Sequence, residues 1–297
     1  MEFRQLKQFL AAVDLGNLGR AALSLNLTTP AISKSVASLE AELGARLIDR
    51  GPKGVTPTVF GESLARHARA MMAEARHAED DIALLKGAGQ GRVAVGGTAS
   101  AGSALLVRAV AALAKDRPNV RIEVTGGRHE SLIDGLRSGI FDVVVTGFGA
   151  GSPDPDLNER VLAEDTYAVV VGGGHALAAR DSIQLSESMT YPWVVASNIA
   201  EVIPGWARSF TDQGLTPPKP TIASDSYLFI KSVLGEGDFI AVLPRDVISA
   251  AESSAAFSVL MIDGVVWSRR VRAVTRARGT QPPAVGFLLE TLQALAA

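Results

Sequence analysis

Small polar side chains and isolated cations, rather than acids, bases or nucleophiles, are the chemically capable residues of this chain. Between Arg20 and Arg50 a short helix, a break at Asn26-Leu27-Thr28 and a second helix opening at Thr29-Pro30 can be traced. In the second helix Ile32, Val36, Leu39 and Leu43 recur at spacings of four and three, which defines one buried stripe. Thr28, Thr29, Ser33, Lys34 and Ser38 are left on its other faces. That outward set offers hydroxyls and a single ammonium, groups that hydrogen-bond and attract negative charge but break no bonds. A helix with such a surface suits the major groove of DNA.

Nothing elsewhere assembles a reaction centre. His67 and His77 belong to one long helical segment, His129 to a loop and His175 to a glycine-rich turn, and no spacing among them suggests a metal site. Gly96-Gly97 and Gly172-Gly173-Gly174 lack the lysine of a phosphate loop and the Gly-x-Gly-x-x-Gly order, and read as turns. The absence of cysteine excludes disulfides, thiolate zinc sites and a cysteine nucleophile. No catalytic residue, metal or cofactor is therefore expected, and no enzymatic activity.

The elements that must position the polar helix follow from periodicity. Phe3, Leu6, Phe9, Leu10 and Val13 form an amphipathic first helix ended by Gly16-Asn17. Leu18 to Leu25 makes the second, with Ala21, Ala22 and Leu25 for close packing. Thr29 reads as the N-cap of the third, with Pro30 at its first helical position. Beyond Gly44, Leu47-Ile48 and Val55 flank the tip Gly51-Pro52-Lys53-Gly54, the pattern of a hairpin. Helix, turn, helix and wing predict a winged helix-turn-helix over 1–58. Net charge over the whole chain is −2, but screening acts over about 8 Å, so the cations of this segment count locally. Thr58 then caps a longer helix to about Lys86, in which Ala68, Ala75 and Ile82 interleave with Leu64, Met71, Ala78 and Leu85 as heptad positions. This linker, 59–87, is expected to pair with a copy of itself, and the glycines of 87–91 to form a hinge.

From Arg92 apolar strands alternate with helices, predicting a mostly parallel, covered sheet. The strands are Arg92-VAVGG, Val120-RIEVTG, Asp142-VVVTG, Thr166-YAVVVGG, Tyr191-PWVVAS, Thr221-IAS, Phe239-IAVL, Val259-LMID and Arg270-VRAVTRA; helices are read at 104–115, 130–138, 199–213, 225–234 and 283–295. Two α/β lobes fit this count better than one sheet: lobe I over about 91–162 and 266–297, lobe II over about 163–265. No run approaches the roughly 20 apolar residues of a membrane span, and the charged N-terminus has no secretory character, so a cytoplasmic protein without membrane contact is expected.

Several stretches resemble the LysR-type bacterial transcriptional regulators: Leu6-KQFLAAVDLGNLGRAA, Leu27-TTPAISKSVASLEAELGARLIDR, the wing Lys53-GVTPT with Gly61, and distally Gly139-IFDVVV, Gly174-HALAA and Ile240-AVLP. They span nearly the whole chain in the family's order. The resemblance implies an effector-binding domain similar to periplasmic binding proteins over 88–297, a dimerising linker, and a homodimer or homotetramer acting on promoter DNA. It places Lys34 and Lys53 at DNA-facing positions, joined by Thr28, Thr29, Pro30, Ser33 and Arg50. The family's usual glutamine before the proline is here Thr29, which lacks the bidentate amide that reads adenine. No DNA sequence preference is therefore carried over.

A small organic effector, an organic acid or an aromatic compound, is expected between the lobes at strand ends and helix starts. Thr98, Ser100 and Ser103 follow the first strand; Arg128 and His129 follow the second; Thr146 and Phe148 end the third. Across the crevice stand Ser197, Asn198, Ser226 and Tyr227, with Asp225 expected to cap its helix facing away or to bind a hydroxyl or amine. The alternatives are a solute-binding protein, against which the first 58 residues argue, and a two-lobed enzyme using the same cleft.

Overall fold

The computed structural model describes residues 1–52, 54–85, 91–99, 104–148, 154–197, 199–203, 205–248 and 256–296. Lys53, Ser100, Ser103, Asn198 and the expected hinge, apart from Gly91, lie outside the described residues.

Three helices, α1 (Phe3–Leu15), α2 (Leu18–Ser24) and α3 (Thr29–Leu43), pack with the hairpin β1 (Ile48–Gly51) and β2 (Gly54–Pro57). Phe9, Ile32, Val36 and Leu39 are fully buried at their centre, so the expected stripe of α3 is the one that faces inward, with Leu43 left exposed. Gly16 ends α1 in the left-handed region (φ 60°), and its carbonyl accepts from Val55 N at 2.8 Å. A Cβ on Gly54 would stand 2.2 Å from that same oxygen, so the wing can lie against the α1–α2 turn only with glycine there. The cap of α3 is Thr28, not Thr29: Thr28 is extended (φ −89°, ψ 149°) and its Oγ1 accepts from Ala31 N at 3.4 Å. Thr29 is already helical, and Pro30 is accommodated in the first turn because its missing N–H is one that the helix would leave unpaired anyway.

The linker is the helix α4 (Val59–Leu85). Thr58 precedes it as expected; its hydroxyl accepts from Gly61 N at 3.1 Å and donates to the carbonyl of Arg46 at 2.6 Å. Gly61 allows α4 to cross the wing, since a Cβ there would meet the Leu47 carbonyl oxygen at 1.9 Å. Ala65 and Ala68 are buried in the winged-helix core, which takes Ala68 out of the predicted pairing seam.

The remaining elements are β3 (Arg92–Gly97), α5 (Leu105–Asp116), β4 (Arg121–Gly126), α6 (His129–Arg137), β5 (Val143–Thr146), β6 (Leu157–Gly172), β7 (Ser182–Ile183), α7 (Leu185–Ser188), β8 (Trp193–Ala196), α8 (Ile199–Val202), α9 (Trp206–Thr211), β9 (Ile222–Ser224), α10 (Tyr227–Leu234), β10 (Ile240–Pro244), β11 (Phe257–Ile262), β12 (Trp267–Arg276) and α11 (Pro283–Ala296). Hydrogen bonding runs unbroken in the order β4-β3-β5-β12-β6-β10-β8-β9. The outer trios are parallel within themselves, β4-β3-β5 in lobe I and β10-β8-β9 in lobe II. The antiparallel pair β6–β12 joins them, registered from Leu157↔Arg276 to Tyr167↔Trp267 with an irregularity at Val271/Arg272. The two expected lobes are present, but within one continuous sheet, joined by this two-stranded ribbon. Strand β6 begins well before the expected Thr166 because its first half, from Leu157, is half exposed and lacks the apolar run that marks a buried strand. The single helix expected over 199–213 is two, α8 and α9, separated where Gly205 takes φ +89°. Lobe II closes around Trp193, Trp206, Phe210 and Trp267; lobe I around Leu106, Val143, Val271 and Leu288.

Candidate functional site

Two regions answer to the sequence-derived expectations. The first is the edge formed by the start of α3 and the wing. Thr28, Thr29, Pro30 and Lys34 are exposed there, and Ser33 is half-buried. The guanidinium of Arg50, on β1, donates to the Ser33 hydroxyl at 2.9 Å; it faces α3 while remaining exposed, so it braces the recognition helix against the wing. A stronger brace lies underneath. One carboxylate oxygen of Glu40, on α3, accepts from Leu47 N at 2.8 Å and Ile48 N at 3.2 Å, fixing where β1 starts relative to α3. Only its pairing with two backbone amides beyond Gly44 reveals the role.

The second region is a cleft between the lobes, a small cavity of about 90 Å³ lined by Thr98, Ala99, Gly127, Arg128, His129, Glu130, Phe148, Ala196, Ser197, Val202, Asp225 and Tyr227. Six of the expected effector residues, Thr98, Arg128, His129, Phe148, Ser197 and Tyr227, are brought together here. Thr146 is fully buried behind them. Its Oγ1 accepts from Phe148 N at 3.1 Å and lies 3.1 Å from Nδ1 of His129. The amide must donate, and the hydroxyl can then either donate to Nδ1 of a neutral imidazole or accept from it, according to the tautomer. Burial pushes His129 below its ordinary pKa, against the pull of Glu130 and Glu159, and favours that neutral ring. Phe148 lies beside it, ring centroids 5.3 Å apart and tilted by 32°.

Ser226 is not part of this wall. It caps α10, its hydroxyl accepting from Phe229 N at 3.2 Å, so the capping expected of Asp225 falls to its neighbour and Asp225 faces the cavity. With Glu130 also on the lining and unforeseen, two carboxylates stand against the one guanidinium of Arg128, which is itself 3.9 Å from Glu130 and largely exposed. Thr98 is 4% exposed and its hydroxyl has no hydrogen-bond partner among the described residues, an arrangement that native proteins rarely leave without a purpose. Beneath the cleft, Arg269 on β12 holds Asp165 on β6 through Nε at 2.9 Å and Nη2 at 2.7 Å, with the arginine side chain 2% exposed. This buried pair crosses the ribbon between the lobes; the sequence offered no sign of it, since 104 residues separate the partners.

Comparison with known proteins agrees with this geometry. Residues 3–62 match the family described as bacterial regulatory helix-turn-helix protein, lysR family, and residues 86–297 match the LysR substrate binding domain. The chain therefore belongs to the LysR family, as a DNA-binding transcriptional regulator with an effector-binding domain. The SDS degradation transcriptional activation protein of Pseudomonas sp. (strain ATCC 19151) is 28% identical over 95% of this chain and 92% of its own length. PcaQ of Agrobacterium fabrum is 24% identical over 95% of this chain and 90% of its own. Among solved structures, full-length OxyR from Pseudomonas aeruginosa covers 99% of this chain and 95% of its own at TM-score 0.75 and 21% identity. CbnR, a LysR family regulator, covers 100% of both at TM-score 0.72 and 21% identity. At that identity the two structures speak for the fold alone. No helix among the described residues is long and apolar enough to cross a membrane.

Proposed function

We propose that the chain works in the cytoplasm as a homo-oligomer that holds paired α3 helices in successive major grooves of promoter DNA, under the control of a small metabolite bound between the lobes. Domain limits at 1–58, 59–87 and 88–297 go with this reading, with lobe I about 91–162 and 266–297 and lobe II about 163–265. Thr28, Thr29, Pro30, Ser33 and Lys34 face the DNA, with Arg50 at the wing and Lys53 at its tip. Thr98, Arg128, His129, Phe148, Ser197 and Tyr227 face the effector. The reading assigns no catalytic step to the cleft.

The observation that carries the effector half is the buried hydroxyl of Thr98, without a partner among the described residues, which a ligand polar group would satisfy. Phe148, His129 and Tyr227 suit a flat, aromatic compound. A carboxylate on it would be directed to Arg128 and away from Glu130 and Asp225. Pairing is supported by α4, where Phe60, Met71, Ala78 and Ile82 are exposed and Leu64 and Ala75 half-buried, at spacings of four, seven, four, three and four that keep them along one face of the helix.

Two measurements test the reading. Gel shifts on the gene's own upstream DNA at low ionic strength should show a retarded complex that salt dissolves; no complex at any salt removes the DNA half. Thermal shift across small aromatic and aliphatic acids should pick out a stabilising compound, since a ligand at 100 times its Kd adds about 2.7 kcal/mol. The same compound should lose its effect on Thr98→Val.

A further inference from the structure

The linker helix meets lobe I through a buried charged pair that neither the DNA edge nor the cleft uses. His77 of α4, 4% exposed, places Nε2 2.9 Å from Oδ1 of Asp142 and Nδ1 3.1 Å from the carbonyl oxygen of Thr280. Asp142 spends its other oxygen on the backbone N–H of Ala94 in β3, at 2.9 Å. A carbonyl and an ionised carboxylate only accept, so a ring that satisfies both donates from both nitrogens. The charged groups facing it are Asp142 from the edge of β5, Arg276 at the end of β12, 3.6 Å from Asp142, and Glu74 on α4 itself, 3.8 Å from Nδ1.

Three distant segments converge here. Besides the pair, Arg76 of α4 donates to the Gly139 carbonyl at 3.2 Å, and Thr280 N donates to Glu74 at 3.3 Å. Ala73 packs so closely on Gly139 that a Cβ there would come within 2.4 Å. Arg276 and Thr280 lie where the chain leaves β12, one of the two strands shared by both lobes. The end of β12 is hydrogen-bonded to β5, Val274 opposite Val144, so both acceptors of His77 belong to lobe I and α4 is held to that lobe alone. A buried charged pair contributes little net stability compared with apolar packing, yet tolerates misplacement poorly, because a shift leaves charge buried and unmatched.

We propose that His77–Asp142 is the joint that fixes the angle between α4 and lobe I of the effector domain. This does not rest on the effector reading above. Because the chain has no cysteine, spin labels at Arg66→Cys on α4 and Lys115→Cys on α5, both exposed, report one intrachain distance in the full-length, effector-free protein once labelled chains are diluted with unlabelled ones. The expected result is a single narrow distance in the parent, its loss in both His77→Leu and Asp142→Asn, and no further broadening in the double variant. A narrow, unshifted distance in either single variant overturns the joint. Should His77→Leu fail to fold, the isosteric Asp142→Asn decides by the same criterion. A failed joint leaves gel shifts and ligand-induced thermal shifts intact. A failed functional reading instead appears as absent DNA binding by a protein whose label distance still responds at Asp142.

Discussion

Replacing Glu40 by alanine should release the wing from the recognition helix without touching any DNA-facing residue. The two backbone amides that Glu40 holds, on Leu47 and Ile48, belong to residues 1% and 2% exposed, so water replaces the carboxylate poorly. A hydrogen bond to a charged group contributes about 1.5–3 kcal/mol, and the longer of the two belongs at or below the low end of that range. Allowing for the partial exposure of the carboxylate, the loss comes to about 2 kcal/mol. That converts to roughly 30-fold faster local opening, since about 1.4 kcal/mol is a factor of ten. Hydrogen exchange of peptides covering 45–50 in the full-length protein reads this directly, whereas a global melt of several coupled domains would blur it. Glu40→Gln, which keeps one acceptor oxygen, should recover most of the protection, and DNA affinity should fall in step with exchange. Unchanged exchange at Leu47 and Ile48 in Glu40→Ala would refute the assignment of Glu40 as the brace.

Lys34→Ala should weaken binding to all DNA sequences alike and lower the slope of log affinity against log salt by about 0.9, the signature of one lost phosphate contact, in gel shifts across a salt series. Arg269→Met leaves Asp165 charged beneath the cleft; breaking a buried pair costs about 3–5 kcal/mol, and calorimetry should show the effector-domain transition lowered by about 10 °C. Burial alone would raise the Asp142 carboxyl, but the hydrogen bonds from His77 and the Ala94 amide and the charges of His77 and Arg276 hold it below the ordinary carboxylate range. A depressed native value contributes stability above the unfolded pKa of about 4 and loses it as pH falls through the lower native value. Melting temperatures followed from pH 6 downward should therefore fall less steeply in Asp142→Asn than in the parent.

The stripe Ile32, Val36 and Leu39, the cap at Thr58 and the glycine after α1 were legible because each is local: a period or a neighbour within four residues decides it. Six cleft residues were legible because strand ends and helix starts in an α/β lobe converge wherever the lobes face one another. The shift from Thr29 to Thr28 was not, because proline fits the first or second helical position equally well. The early start of β6 was hidden by its half-exposed first half, whose apolar residues are irregular until it reaches lobe II. Glu130 carried no signal, Asp225 was expected either to cap its helix or to bind a hydroxyl or amine and only the first falls to Ser226, and Glu40, Asp142 and Arg269 were invisible for a shared reason: their partners are a backbone amide or a side chain that only the fold brings near.

The faces of α4 explain why its sequence reads as a weak coiled coil. Gly61, Ala65, Ala68 and Met72 lie along one side and serve the winged-helix core, with the first three small enough for α1 and the wing to approach. Adjoining them round the helix, Arg69, Ala73, Arg76 and His77 meet α1 or lobe I; Arg69 pairs with Asp14 of α1 and the others contact the loop before β5. What remains is the narrow strip Phe60, His67, Met71, Ala75, Ala78 and Ile82, beside Leu64, which packs partly against the winged-helix core. A helix so committed within its own chain cannot also carry a broad apolar seam. Stable pairing of the recognition helices must then draw on contacts beyond α4.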